Sequence, residues 1–188
     1  MNNIVVISAE ILTKMMSAAE LQCARFARNI GQYGHNNPDS TVTSYMAEYA
    51  VRELYRQGGV QAIQNINDTT APDLTIPAHR TMSCEFDIRQ EEVKCWKSGY
   101  SWNNYGYTIT AYHAERYERK GRARVWFCEV NRETSTVIVH GWATPAECLL
   151  SDTTVTSSGL NHTIKTPHPC SEVMAWITDV DIEGGWFE

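Results

Sequence analysis

In the run Glu91-Glu92-Val93-Lys94-Cys95-Trp96, a carboxylate and an ammonium stand two residues apart in a stretch that reads as a β-strand. Side chains alternate along a strand, so Glu92 and Lys94 share one face while Val93 and Cys95 share the other. Carboxylate oxygens are the ligands a hard divalent cation takes. A lysine beside such a cation can steady or deprotonate an attacking water, and together these are the parts of metal-dependent phosphodiester hydrolysis. The same spacing is also that of a solvated, salt-bridged strand face, so its meaning depends on what other elements bring to it.

Two aspartates and one helix acid are candidates to join the pair. Asp87 is the penultimate residue of the strand-like run Met82 to Ile88; if Arg89 and Gln90 make a two-residue hairpin turn, Asp87 lies opposite Glu92, and Asp87, Glu92 and Lys94 converge. Asp73, preceded by Pro72, is the alternative, at the start of the short run Asp73 to Ile76. Glu48 borders the apolar stripe Ala47, Val51 and Leu54 of a helix expected from about Ser44 to Gln57 and ended by Gly58-Gly59, whereas Glu53 is expected to be solvated beside Arg56 and Gln57. Positive charge gathers at Arg116, Arg119, Lys120, Arg122 and Arg124. Such a cluster suits phosphate contact and equally suits a solvated helix end, where cations meet the negative end of the dipole. His79 and His113 read as hydrogen-bonded structural residues.

The elements that must position these groups follow from periodicity. Ile11, Met15, Ala19, Cys23, Phe26 and Ile30 recur at helical spacing, with Ser8 as N-cap and Gly31 as stop. Residues 31–43 read as a turn-rich loop. Strands are expected at 73–76, 82–88 and 91–97, a loop at 99–106, a helix at 110–120, strands at 124–130 and 136–142, and a short helix from Pro145 to Leu150. Ser, Thr and Pro content makes 151–169 irregular, followed by one apolar run, Val173 to Ile177. Trp126 and Phe127 belong in the core. The aromatics Trp96, Tyr100, Trp102, Tyr105 and Tyr107 could stack on bases or cover a sheet edge. The outcome is an α/β fold with a mixed sheet, organised as an N-terminal helix and loop (8–43), a core (44–150) and a C-terminal extension (151–188).

At 188 residues the chain suits one domain, and no run approaches a membrane span. Met1 to Ile7 lacks the basic leader of a signal peptide, and a cytoplasmic location is expected. The cysteines at 23, 84, 95, 128, 148 and 170 form no Cys-x-x-Cys pair and read as reduced. His162, His168 and Cys170 do not have the spacing of a zinc site. A net charge of −6 argues mildly against a nucleic-acid partner, but an acidic metal site counts as negative until a cation fills it.

Ala47-Glu48-Tyr49-Ala50-Val51, Phe86-Asp87-Ile88, Glu92-Val93-Lys94 and Arg124-Val-Trp-Phe-Cys-Glu-Val130 followed by His140-Gly-Trp142 resemble, in order and spacing, the PD-(D/E)XK nuclease superfamily. The likeness is to its small restriction-endonuclease-like members from phages and bacteria, and it spans approximately residues 8 to 150. It implies a restriction-endonuclease-like core in the order α-β-β-β-α-β and a Mg²⁺-dependent DNA endonuclease, with Mn²⁺ as a substitute, located in the bacterial host's cytoplasm if phage-encoded. Carried over, Asp87 and Glu92 hold the metal, with Asp73 as the alternative aspartate and the Val93 backbone carbonyl as a further ligand. Lys94 is the catalytic lysine and Glu48 the helix acid; the nucleic-acid contacts expected beside them, from the charge cluster, are Arg116, Arg119 and Lys120. A homodimer is left open. The competing expectation is a nuclease-fold module that binds nucleic acid or protein without cleaving.

Overall fold

A computed structural model describes residues 3–26, 37–65, 71–77, 88–99, 106–156 and 159–173. Thirteen elements follow one another in these residues: β1 (Ile4–Val6), α1 (Ala9–Phe26), α2 (Pro38–Gln57), β2 (Ile63–Gln64), β3 (Leu74–Ile76), β4 (Arg89–Lys97), β5 (Tyr107–Thr110), α3 (Ala111–Arg119), β6 (Arg124–Asn131), β7 (Thr136–Ala143), α4 (Pro145–Leu150), β8 (Asp152–Thr156) and β9 (Gly159–Ile164). No helix among the described residues is long and apolar enough to cross a membrane.

The principal sheet has the order β1-β7-β6-β4-β3-β2. It is mixed: β4 runs parallel to β6, while β3–β4, β6–β7 and β1–β7 are antiparallel. Its parallel pair is linked through α3, the kind of crossover that parallel strands require. Strand alternation divides the core into two layers. On β6, Trp126, Cys128 and Val130 pack with α1 and α2, whereas Val125 and Phe127 face a second cluster with Ala114, Tyr117, Cys148 and Ile164. A smaller sheet, β5-β9-β8, covers that second side. Trp96 stacks on Phe127 at 6.2 Å and Tyr107 lies 5.4 Å from it, so these two aromatics cover the sheet; Tyr100, Trp102 and Tyr105 lie outside the described residues.

Several expectations change. The α2 helix starts at Pro38, not Ser44: Asn37 caps it by accepting the Asp39 N–H at 3.0 Å, Pro38 takes the first turn and Asp39 meets the positive end of the dipole. Residues that look like a loop are here a helix start. Arg89 and Gln90 are strand, not turn; they pair with Ile76 and Thr75 of β3. Residues 82–87, including Asp87, lie outside the described residues, as do His79 and Cys84. The segment expected to be irregular forms β8 and β9, whose Thr-rich strands gain order by pairing with each other and with β5. Ile4 to Val6 is a short strand pairing with β7.

Gly141, within the His140-Gly-Trp142 motif, has a steric reason. A Cβ there would stand 2.3 Å from the His168 carbonyl, because Trp142 and His168 exchange backbone hydrogen bonds of 3.0 and 2.7 Å across the β7 edge. His168 also bonds Glu147 and Glu172, and the buried Cys170 thiol donates to the Val139 carbonyl.

Candidate active site

The β3–β4 ladder pairs Leu74 with Glu91 and ends there. One residue further out, the Asp73 carboxylate takes the place of a backbone carbonyl, accepting the Val93 N–H at 2.7 Å. A strand residue's N–H and C=O point to the same edge, so the Val93 carbonyl faces the same gap. Asp73 is thereby brought against β4 at the position of Glu92 and Lys94. The aspartate that the described structure delivers to this strand is therefore Asp73, the one preceded by Pro72.

Glu92 and Lys94 project from β4 toward α3, as strand alternation requires. Glu92 accepts from Arg122 Nε at 2.6 Å, in a pair whose side chains are 9 % and 4 % exposed. Arg122 Nη1 also donates to Gln90 Oε1. The half-buried Lys94 ammonium lies over the Tyr117 ring, 5.1 Å from its centre, a favourable placement for a cation. Glu48 reaches the same region from α2. It is buried, and Gln64 of β2 donates to its Oε2 at 3.0 Å while also bonding the Tyr45 carbonyl.

The electrostatics are those of acids crowded together out of water. Burial, reinforced by the charge of Asp73, holds the Glu48 carboxyl well above its ordinary value, and Gln64 only partly offsets this. Burial and Asp73 likewise raise Glu92, against the opposing pull of Lys94 and Arg122. Burial also raises Asp73, although Lys94 and the Val93 amide favour its charged form. For Lys94 burial disfavours the ammonium, but Tyr117, Asp73 and Glu92 outweigh it and its pKa is raised. His113, near Lys94 and Arg116, is pushed down to about 4 by burial and then by these two cations. It is neutral at pH 7.

Among the described residues no three Asp, Glu, His or Cys side chains close around one point as a finished metal cage. The donor set itself suits a hard dication. Asp73, Glu92 and Glu48 each commit one oxygen to a protein partner, and carboxylate and carbonyl oxygens are the ligands Mg²⁺ takes. Burial is the main cause raising all three carboxyl pKa values, and a dication would favour their charged forms against it.

The structure brings Glu48, Asp73, Glu92, Lys94 and the Val93 backbone together. It separates the basic candidates: Arg116 is half-buried and close enough to act on Asp73 and His113, while Arg119 and Lys120 are exposed at the C-terminal end of α3. Arg124 belongs to a different network on the opposite face. Two contributors, Gln64 and Tyr117, are missed from sequence, and so is the pairing of Arg122, a member of the basic cluster, with Glu92. Tyr117 had a signal, because His113 and Tyr117 are four apart on a helix and share a face; their rings stack at 5.7 Å. Gln64 and Arg122 meet their carboxylates across 16 and 30 residues of chain and leave no local pattern. No protein-family profile matches the sequence, and a search of curated proteins finds no match.

Proposed function

We propose that the protein is a metal-dependent phosphodiesterase acting on DNA, an endonuclease with a restriction-endonuclease-like core. One observation carries the reading: Asp73, Glu92 and Glu48 converge with a charged, half-buried Lys94 where β3 parts from β4. Support also comes from β4 running parallel to β6 through a link that contains α3, within a mixed α/β sheet. Asp73 takes the metal-aspartate role in this proposal.

Asp73 and Glu92 would hold Mg²⁺ or Mn²⁺, with Glu48 and the Val93 carbonyl completing the oxygen set. When bound, such an ion polarises a phosphate oxygen and lowers the pKa of coordinated water. Lys94, kept protonated by Asp73 and Glu92 and supported by the Tyr117 ring, orients the attacking water and neutralises charge developing on the phosphate. Gln64 holds Glu48 in place. Arg119 and Lys120 meet phosphates farther along the strand, which sets affinity and not the chemical step.

The second reading, a nuclease-fold module that binds without cleaving, is favoured by the closed Arg122–Glu92 pair and by the net charge of −6. A nicking assay on plasmid, linear, branched and single-stranded DNA, with Mg²⁺ and with Mn²⁺, separates the two. Metal-dependent cleavage by wild type and its loss in Lys94→Ala, with DNA affinity retained, is the expected result. Binding without cleavage under every metal, unchanged by Lys94→Ala, would replace the enzyme with the binding module.

A further inference from the structure

Arg122 occupies the link between α3 and β6, and its backbone is clamped at both ends. Its N–H donates to the Tyr117 carbonyl at 3.0 Å, and the Ala123 N–H donates to the Gln90 carbonyl of β4 at 2.8 Å. Gly121 immediately before it has φ +64, a conformation that glycine adopts without a Cβ penalty. The side chain thus leaves a fixed point between helix and sheet and enters the site only 4 % exposed.

Its hydrogen bonds use part of what it carries. A guanidinium has five N–H donors in a rigid fork. Nε is held by Glu92 at 2.6 Å and Nη1 by Gln90. Among the described residues no acceptor stands against Nη2, so part of the fork is uncommitted beside Glu92. A buried ion pair is poor evidence of a purely stabilising role, because desolvation offsets most of its attraction.

We propose that Arg122 is a phosphate-binding residue of this site: Nε and Nη1 stay on Glu92 and Gln90 and fix the fork, while Nη2 donates to a non-bridging oxygen of the phosphodiester beside Lys94. The proposal rests on the phosphodiesterase reading above. A planar fork anchored on two sides presents its remaining donors in one direction, an advantage that lysine, a flexible point charge, does not have.

The test is single-turnover cleavage of a DNA that wild type cuts, with enzyme in excess, for wild type, Arg122→Lys and Glu92→Gln, alongside calorimetric Mn²⁺ binding without DNA and thermal unfolding. Arg122→Lys keeps the charge next to Glu92 and so preserves the fold. It is expected to raise the half-saturating enzyme concentration about tenfold, the loss of one charge-assisted hydrogen bond, while Mn²⁺ affinity stays within about twofold by the same reasoning. Unchanged half-saturation would overturn the proposal, as would a matching loss of Mn²⁺ affinity, since Arg122 would then only position Glu92. The underlying reading has separate controls. If wild type cuts no DNA with Mg²⁺ or Mn²⁺, or if a folded Glu92→Gln cuts as well as wild type, the phosphodiesterase reading fails and takes this proposal with it.

Discussion

On the α2 side of β4 the Glu91 carboxylate lies 2.8 Å from the Tyr55 hydroxyl at each oxygen, accepts Arg124 Nη1 at 2.7 Å and accepts Trp126 Nε1 at 2.6 Å. One residue along, on the other face, Glu92 accepts from Arg122 Nε, its one hydrogen-bond partner among the described residues, and Asp73, Glu48 and Lys94 lie near it. Both glutamates are buried, Glu91 completely. What separates them is satisfaction. Each oxygen of Glu91 is engaged by donors that the fold itself supplies, which leaves it nothing to offer a ligand and makes it part of the core's polar framework. Glu92, buried with Asp73 and Glu48 nearby, has one oxygen without a donor among the described residues, an arrangement that suits a cation.

The sharpest way to test this contrast is to exchange the fates of the two faces. Asp73→Asn and Glu92→Gln should each lower metal-dependent cleavage by about a thousandfold or more, about 4 kcal/mol, while Glu91→Gln should leave cleavage per folded molecule near wild type. Asp87→Asn should cost less than Asp73→Asn. The reverse order in a nicking assay would move the metal aspartate to Asp87.

Stability should report the opposite ranking. Glu91→Ala strands the Arg124 charge and the Trp126 N–H in the interior, and urea unfolding should show a loss of about 3–5 kcal/mol. Glu92→Ala should lose less, because Asp73 remains to balance Arg122 and one source of repulsion is gone. Equal losses would mean that the Glu92 face is as structural as the Glu91 face.

The smallest effect concerns pH in the cation-free protein. Glu48, Asp73 and Glu92 all have folded pKa values above their ordinary 4.5, 3.8 and 4.5. The folded state then holds protons more tightly than the unfolded state. Their contribution is most favourable at or below those ordinary values and diminishes as pH rises through the raised ones. The melting temperature should fall across that window. Glu48→Gln keeps the shape and can still accept from Gln64, so it should flatten the fall and stabilise the protein by about 1 kcal/mol near neutrality. A steeper pH dependence in Glu48→Gln would contradict the crowded-acid account.

Local patterns carried much of this protein. The strand around Glu92 and Lys94 was legible because alternation is set by backbone geometry, as was α1 from Ser8, whose Oγ accepts the Ile11 N–H at 3.4 Å. Helix α3 and strands β6 and β7 follow from the same short-range rules. The start of α2 was missed because Asn37-Pro38-Asp39 signals both a turn and a cap, and only the apolar face that follows it, buried against the sheet, decides between them. Strands β8 and β9 were missed because Thr-rich sequence has no contrast between faces until β5 pairs with it.

Residue types, charge and the identity of each candidate acid and base were therefore properties of the sequence alone, since each depends on a residue and its near neighbours. That Asp73 is brought against β4 beside Glu92, which glutamate is sealed, and that Arg122, Gln64 and Tyr117 surround the carboxylates and the lysine were decided only by tertiary structure. Those relations join strands and helices distant in the chain, and the energy that selects among them, desolvation set against hydrogen bonding and charge, exists only once the segments have packed.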